Sequence, residues 1–202
     1  MPQPFSRIVP LLALVASLLA ACGGPSWQEL KAPEGGFRIL MRADPLVERR
    51  EVETPIGKIT GHWYSTEQRN SVFGVGYADY PVQFVSNAPP RELFTLARES
   101  WLKRIDGKLQ GDGTEIRLDG HPGMEFIASG KFNGRDAYLR GRLYLVGNRL
   151  FQVVVFGDKA TLPLSDINQF MGSFKLTPTH GVNTVNIDVG PGKPPPKPPS
   201  RK

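Results

Sequence analysis

Residues 121–157 read HPGMEFIASGKFNGRDAYLRGRLYLVGNRLFQVVVFG. Two short breaks, Asn133-Gly134 and Gly147-Asn148, divide this stretch into three long runs in which apolar residues recur at alternate positions. Such residue pairs favour the positive φ angles of two-residue hairpin turns. The stretch therefore predicts a meander of three antiparallel strands, and we expect this meander to form the centre of the fold.

The register of the predicted meander assigns each side chain to one of two faces, because a strand changes sides at every residue. The predicted pairs are Lys131 with Asp136, Ser129 with Tyr138, Ile127 with Arg140, Glu125 with Arg142, Tyr144 with Phe151, and Arg142 with Val153. One face is apolar and carries Met124, Phe126, Ala128, Leu139, Leu143, Leu145, Leu150, Val154 and Phe156. The other face is mixed and carries Glu125, Ile127, Tyr138, Arg140, Arg142, Tyr144, Phe151, Val153 and Val155. The last strand is apolar on both faces, which is typical of an interior strand, so a layer should cover each side of the sheet.

The chain has 202 residues, of which 25 are Lys or Arg and 19 are Asp or Glu, giving a net charge of +6. Much of this excess lies at the two ends, and residues 23–177 carry a net charge of about +2. The central part is thus nearly balanced in charge, which argues against a nucleic-acid partner. Roughly 150 residues remain without the ends, enough for one domain with a sizeable core.

Residues 1–21 contain one positive charge at Arg7, an apolar run over residues 8–20, and small residues just before Cys22. This pattern predicts a signal peptide for export, with an apolar run that is short for a membrane span. Cys22 is the single cysteine. An intramolecular disulfide and a cysteine metal cage are therefore excluded.

The junction Leu19-Ala20-Ala21-Cys22 resembles the lipobox of bacterial lipoproteins. The resemblance implies cleavage before Cys22, a diacylglyceryl group on its thiol, and an amino terminus acylated with a fatty acid such as palmitate. Several acyl chains would anchor the protein lastingly in a membrane. Gly23 stands where lipoproteins retained in the inner membrane of many Gram-negative bacteria have Asp, so by analogy we expect a periplasm-facing protein in the outer membrane. The alternatives are an ordinary cleaved signal with an unmodified cysteine, or a short uncleaved anchor.

Residues 22–36 are rich in Gly, Pro and polar side chains, which predicts a tether of at most about 50 Å. Trp27 within it either enters the membrane interface or packs on the domain. A single globular domain is predicted over residues 37–177. Its first four strands are expected at residues 37–41, 47–53, 57–66 and 71–80.

A helix is predicted to begin at an Asn87 cap, with Pro89 and Pro90 in its first turn, and to reach Ile105. Its apolar stripe at four-residue spacing comprises Leu93, Ala97, Trp101 and Ile105. Residues 108–110 and 114–118 are expected to form a hairpin or a bulged strand, followed by a tight turn at residues 120–123.

A shorter helix is predicted after a Ser165 cap, and it should close one face of the sheet. Its apolar side comprises Ile167, Phe170, Met171 and Phe174. Residues 178–202 form a tail rich in Pro and Lys, which predicts disorder with polyproline II character. The tail is either a solvated spacer or a contact for an SH3-like domain, an acidic cell-wall polymer or an anionic lipid.

This order of elements resembles the PsbP-like αβα sandwich, known from a photosystem II extrinsic subunit and from bacterial lipoproteins of the DcrB type. The matching stretches are Gly36-Phe37-Arg38-Ile39-Leu40, the turn Gly120-His121-Pro122-Gly123, Arg149-Leu150-Phe151-Gln152-Val153 and Ser173-Phe174-Lys175-Leu176. The resemblance covers about residues 36–177. It implies an α+β fold, an antiparallel sheet flanked by helices, in a class of mostly accessory or binding proteins. It carries over no functional residues.

The sequence contains no HExxH, GxSxG or Walker motif and no Cys-His pair, so no catalytic set and no cofactor are predicted. The three histidines, His62, His121 and His180, share no metal-ligand spacing. We therefore expect a non-enzymatic protein. A hydrolase with an unrecognised site is the remote alternative.

Tyr138, Arg140, Arg142 and Tyr144 occupy alternate positions of one strand and so share a face. Two guanidinium groups flanked by phenols are suited to binding a carboxylate or a phosphate. The other interpretation is that Arg142 pairs with Glu125 and that both arginine stems cover apolar neighbours. This second interpretation is favoured.

The sequence thus predicts a lipoprotein anchored through Cys22 that serves as a non-enzymatic binding or accessory subunit of a cell-envelope assembly with an unknown protein partner. The alternative is a periplasmic carrier of a small anionic or amphipathic ligand.

Overall fold

The computed structural model of the protein describes residues 26–54 and 57–178. The predicted signal peptide, Cys22 and the tail beyond residue 178 lie outside these residues. The described part consists mostly of antiparallel strands with a few helices. It therefore belongs to the α+β class, as the sequence predicts.

The strands form two sheets. In chain order they are β1 Trp27–Ala32, β2 Phe37–Arg42, β3 Leu46–Thr54, β4 Gly57–Gln68, β5 Ser71–Asp79, β6 Lys108–Leu109, β7 Thr114–Leu118, β8 His121–Phe132, β9 Arg135–Val146, β10 Arg149–Asp158 and β11 Lys175–Leu176. The helices are α1 Val82–Asn87, α2 Pro90–Arg104 and α3 Leu164–Gly172. The large sheet has the strand order β3-β4-β5-β10-β9-β8-β6, with β7 also paired to β8, and the small sheet has the order β1-β2-β11.

The meander β8-β9-β10 has the predicted register at every pair, including Glu125 with Arg142 and Tyr144 with Phe151. At the first turn Asn133 and Gly134 both have positive φ, the signature of the type I′ hairpin. At the second turn Gly147 has a φ of 59°. The meander is the centre of the large sheet, because β10 continues it by pairing with β5.

Two cores lie on the two faces of the large sheet. Val153 and Val154, whose side chains point to opposite faces, are both 0% exposed, so β10 is covered on both sides as predicted. The α3-side core contains, among others, Phe37, Ile39, Met41, Phe73, Val75, Tyr77, Tyr144, Phe151, Val153, Val155, Ile167, Phe170, Met171 and Phe174. The α2-side core contains, among others, Leu93, Phe94, Ala97, Trp101, Ile105, Met124, Phe126, Leu139, Leu143, Leu150, Val154 and Phe156.

Strand β1 lies inside the segment 22–36 that the sequence predicted as a tether. It pairs antiparallel with β2, from Trp27 opposite Arg42 to Ala32 opposite Phe37. The Trp27 ring contacts Phe73 edge-on, with a centroid distance of 6.2 Å. Trp27 therefore packs on the domain, and the prediction that the tether extends to residue 36 was wrong.

The helix predicted after an Asn87 cap is α2, which begins two residues later than predicted, and the short helix α1 before it was not predicted. Asn87 is the last residue of α1, and α2 begins after Pro89 at its N-cap, with no side-chain cap. The break falls at Ala88, which is extended with ψ 139° because a following proline disfavours the helical conformation. The predicted apolar stripe of α2 is buried.

The segments at 108–110 and 114–118 form no hairpin with each other, and the alternative of a bulged strand is closer to the structure, because both segments run antiparallel along β8. Lys108 pairs with Ser129 and Thr114 with Glu125, so β6 and β7 lie beside different parts of β8. The turn into the meander is Asp119-Gly120, both with positive φ, and His121 is already in a strand. The prediction of a turn at 120–123 was two residues late, because the turn runs from Leu118 to His121.

Helix α3 has the predicted buried side, including Phe170 at 0% exposed. It covers one face of the large sheet, where it contacts β10, and it also contacts β2 of the small sheet. Its N-cap residue is Pro163, and Ser165 makes no capping hydrogen bond. The prediction of a Ser165 cap was therefore wrong.

Candidate functional site

The predicted anion-binding face lies on β9 where α3 crosses it. Arg140 and Arg142 both bind Glu125 of β8, the first through Nη2 to Oε1 at 2.9 Å and the second through Nε to Oε2. Glu125 faces Arg142 directly and Arg140 diagonally because β8 and β9 are in register. One carboxylate is thus shared between two guanidinium groups.

Both arginines also donate a hydrogen bond to helix α3. Arg140 Nη1 donates to Asn168 Oδ1 at 3.0 Å, and Arg142 Nη1 donates to the carbonyl oxygen of Met171 at 3.2 Å. Carbonyl groups at the C-terminal end of a helix carry partial negative charge, so the cation of Arg142 is favourably placed. The arginines therefore join β8, β9 and α3.

The charge balance of this cluster favours the ionised carboxylate. Burial alone would raise the pKa of Glu125, but the hydrogen bonds from Arg142 and Arg140 outweigh it and hold the pKa below its usual range. The three side chains are only 18–26% exposed. One positive charge remains after Glu125 is counted, and Arg140 Nε has no hydrogen-bond partner among the described residues.

The two tyrosines at the ends of the series pack instead of flanking an open site. Tyr144 is 5% exposed and stacks on Phe174 with a centroid distance of 5.9 Å. Burial raises the pKa of Tyr144 and of Tyr138, so both phenols stay neutral at physiological pH. Arg142 is paired with Glu125, as the second of the two sequence interpretations requires. Anion binding by Arg140 and Arg142 remains a prediction.

A second arginine cluster, around Arg149, was not predicted from the sequence. Arg149 binds both carboxylate oxygens of Asp79 at 2.6 and 2.7 Å and donates from Nη1 to the backbone carbonyls of Glu34 and Gly35 at 2.9 Å each. Its guanidinium lies 4.5 Å from the ring centroid of Tyr77. Arg149 thus fastens the turn between β1 and β2 to the large sheet. No local signal reveals this contact, because its partners lie 70 or more positions away in the sequence.

His62 is in a strand, as predicted, and stacks on Tyr77 with a centroid distance of 4.6 Å. Burial, followed by the nearby charges of Arg49 and Arg149, lowers its pKa below the usual range. His121 lies at the start of β8, and His180 is outside the described residues. Within residues 26–54 and 57–178, no group of three or more His, Cys, Asp or Glu side chains is placed to hold a metal ion.

Two cavities lie apart from the arginine clusters. One, of about 480 Å³, lies between the start of α2 and strand β7. The other, of about 210 Å³, lies between the β4-β5 turn and the loop before α3. Each is lined by residues from distant parts of the sequence, so local patterns do not predict which residues form it. No helix in the described part of the chain is long and apolar enough to cross a membrane.

No protein-family model matches the chain, and no curated protein matches its sequence. Among solved structures, a Pseudomonas aeruginosa protein of unknown function, PA94, is 14% identical, covers 70% of this chain and 89% of its own, and gives a TM-score of 0.37. LpqN, which is involved in cell envelope biogenesis of Mycobacterium tuberculosis, is 13% identical, covers 76% of this chain and 91% of its own, and gives a TM-score of 0.47. Both resemblances are distant, and no family assignment follows from them.

Proposed function

We propose that the chain is a periplasm-facing lipoprotein, anchored through Cys22 in the outer rather than the inner membrane, that acts as a non-enzymatic binding or accessory subunit of a cell-envelope assembly. The observation that carries this proposal is the position of β1. The strand begins at Trp27, so four residues separate it from the predicted lipidated cysteine. A link of that length spans at most about 18 Å, which would keep the domain against the membrane.

The arrangement of layers supports a PsbP-like αβα sandwich as part of the proposal. Helix α2 covers one face of the large sheet, and α3 covers the other. The small sheet shares the second face with α3, because Phe37, Ile39 and Met41 belong to the α3-side core. Members of that class are mostly accessory or binding proteins, which is the role we assign here.

The charged clusters also support a role without catalysis. Arg140, Arg142 and Arg149 are engaged in ion pairs that connect elements of the fold. Glu125 has a lowered pKa, whereas a general acid at neutral pH needs a raised one. The tail contributes, in this proposal, a solvated spacer or a contact with cell-wall polymer or anionic lipid.

A crosslinking experiment in intact cells tests the accessory role. A photoreactive amino acid is placed at Leu46, Leu96 or Leu164, which are 64%, 56% and 65% exposed on β3, α2 and α3. The proposal predicts one discrete protein adduct, formed from one of these surfaces only. The same label in a Cys22→Ser chain is the control and should lose the adduct, because the domain is no longer held at the membrane. Absence of an adduct from all three surfaces would contradict the accessory role.

A carrier of an amphipathic ligand is the second candidate, and the 480 Å³ cavity favours it. Its walls include apolar side chains of Phe94, Ile116 and Met124, and Arg91 and Arg117 also line it. Ligand pockets typically combine apolar walls with a few polar groups in this way. Mass spectrometry of an organic extract of the purified full chain should then find a bound amphiphile, which an Ile116→Glu variant would lack. An extract without any ligand from the unmodified chain would exclude this candidate.

A further inference from the structure

The 210 Å³ cavity is built from three segments that the fold brings together. Gln68, Arg69 and Ser71 come from the β4-β5 turn, Arg42 from the end of β2, and Thr161 and Asp166 from the region where α3 begins. Gln68 pairs with Ser71 in the ladder, so both side chains share the face covered by α3. The cavity thus lies at one end of the α3-side core.

Two of the residues that line this cavity carry a buried donor atom without a hydrogen-bond partner in the described part of the chain. Ser71 is 2% exposed, and neither its Oγ nor Nε of Arg42 finds a hydrogen-bond partner among the described residues. An arginine nitrogen can only donate, and a serine hydroxyl can donate as well. Because buried polar groups are nearly always hydrogen-bonded, the two atoms call for an acceptor.

The start of α3 also lines the cavity. The helix has nine residues, and its N-cap, Pro163, lines the cavity and supplies no side-chain cap. The amides of Asp166 and Ile167 are already hydrogen-bonded to the carbonyl of Pro163, so the helix contributes the partial charge of its N-terminus and not these two donors. The amides at the start of a helix carry partial positive charge and favour an anion.

The charges of the cavity point the same way. Arg42 Nη2 binds Asp166 at 3.1 Å, which compensates one cation and leaves Arg69 in excess. The backbone carbonyl of Arg69 accepts a hydrogen bond from Thr161 Oγ1 at 3.1 Å, which fixes the turn beside the loop. The neighbouring Asp158 is paired with Arg135 at 3.1 Å. The cavity therefore has a net positive charge of about one.

From these observations we propose that the cavity binds a small oxyanion of the phosphate class, held by Arg42, Arg69 and Ser71 at the N-terminus of α3. The phosphate group could belong to free inorganic phosphate or to the headgroup of an anionic lipid. The headgroup is in reach because Trp27, the residue at which the predicted link to Cys22 enters the domain, pairs with Arg42. This choice of source rests on the proposed anchoring, whereas the site itself does not.

Calorimetric titration of the full chain, in zwitterionic detergent, with inorganic phosphate tests the site. Arg69→Gln and Ser71→Ala should each weaken phosphate binding by roughly tenfold, because each substitution removes a hydrogen-bond donor. The donor that Arg69→Gln removes is also charged. Arg49→Gln, which removes an exposed arginine from β3, is the matched control and should bind as the unmodified chain does. Thermal unfolding of each variant checks the fold. Absence of phosphate binding, or equal affinity in all four chains, would overturn the proposal.

Competition by phosphatidylglycerol in the same micelles identifies the source. Displacement of phosphate by this lipid, lost in Arg69→Gln, supports the headgroup, and phosphate binding without displacement supports a free phosphate. Phosphate binding is measured without reference to Cys22 acylation, so its failure is distinguishable from failure of the anchoring proposal.

Discussion

Glu125 is the single carboxylate on which two part-buried arginines depend. In Glu125→Gln the guanidinium groups of Arg140 and Arg142 lose their shared counter-charge while the side chain keeps its size. Breaking such a pair leaves uncompensated charge, and we expect a loss of about 2 kcal/mol in unfolding free energy at neutral pH. Urea unfolding measures this loss. Glu115→Gln, an exposed carboxylate on neighbouring β7, is the control and should change stability little.

The pH dependence of this loss follows from the lowered pKa of Glu125. The stabilisation is complete above the ordinary pKa of 4.5 and is lost as the pH falls through the lower folded-state value. The difference between the unmodified chain and Glu125→Gln should therefore shrink on going from about pH 7 to about pH 3. A difference that stayed constant over this range would contradict the ion-pair account.

His62 is a base and Glu125 is an acid, but both should make the folded protein less stable as the pH falls. Its pKa is lowered in the folded state, mainly by burial and then by Arg49 and Arg149, so the unfolded state binds the proton more tightly. Stability is complete above the ordinary pKa of 6.5 and falls as the pH drops below it. Melting temperatures between about pH 8 and about pH 5 should decline less in His62→Gln than in the unmodified chain. Equal slopes in the two proteins would show that His62 is not responsible.

The sequence predicted the Glu125–Arg142 pair because both residues lie in strands whose register follows from one turn. It did not predict that Arg140 shares the carboxylate, since this depends on the diagonal reach of a long side chain. The contacts of both arginines with α3 depend on where a distant helix docks, which the strand pattern does not contain.

At the scale of elements, β5 carries two glycines that make room for an aromatic ring. The indole of Trp63 on β4 lies over Gly74 and Gly76, and a Cβ at Gly76 would come within 2.2 Å of it and 2.8 Å of the His62 carbonyl oxygen. Trp63 in turn contacts Trp101 of α2 at a centroid distance of 5.3 Å. The two glycines thus allow a side chain to lie directly against the backbone of β5, and the β4-β5 ladder continues past them without a bulge.

Gly76→Ala should destabilise the domain by about 2 kcal/mol, the usual size of an overpacking effect. The indole must move, and the α2-side core must adjust with it. Gly61→Ala is the control on the adjacent strand, because its nearest atom, the carbonyl oxygen of Arg50, is 3.8 Å away. Chemical denaturation of both variants gives the comparison. Equal stability of the two would show that Trp63 does not depend on the glycine.

Elements with a strong local pattern were predicted well, and those that depend on partners were not. The meander and the buried side of α3 follow from alternation and helical spacing. Strand β1 has little apolar alternation of its own and exists because β2 offers it an edge. The break between α1 and α2 reflects the proline at residue 89, whose effect on the preceding residue outweighs the capping preference of Asn87.

At the scale of the whole molecule, the small sheet sets the distance between the domain and the predicted anchor. The described part begins with β1 and ends just after β11, and both strands pair with β2. Trp27 enters the fold beside Arg42 and the 210 Å³ cavity. If Cys22 is acylated, this end of the molecule faces the membrane, and the orientation joins the proposed anchor to the proposed oxyanion site.

Mass spectrometry of the mature amino-terminal peptide, from membranes of a bacterial host, determines whether Cys22 is acylated. A lipoprotein should begin at Cys22 with diacylglyceryl and acyl groups, and its Cys22→Ser variant should leave the membrane fraction. An unmodified Cys22 in a protein recovered from the soluble fraction would contradict the proposed anchoring.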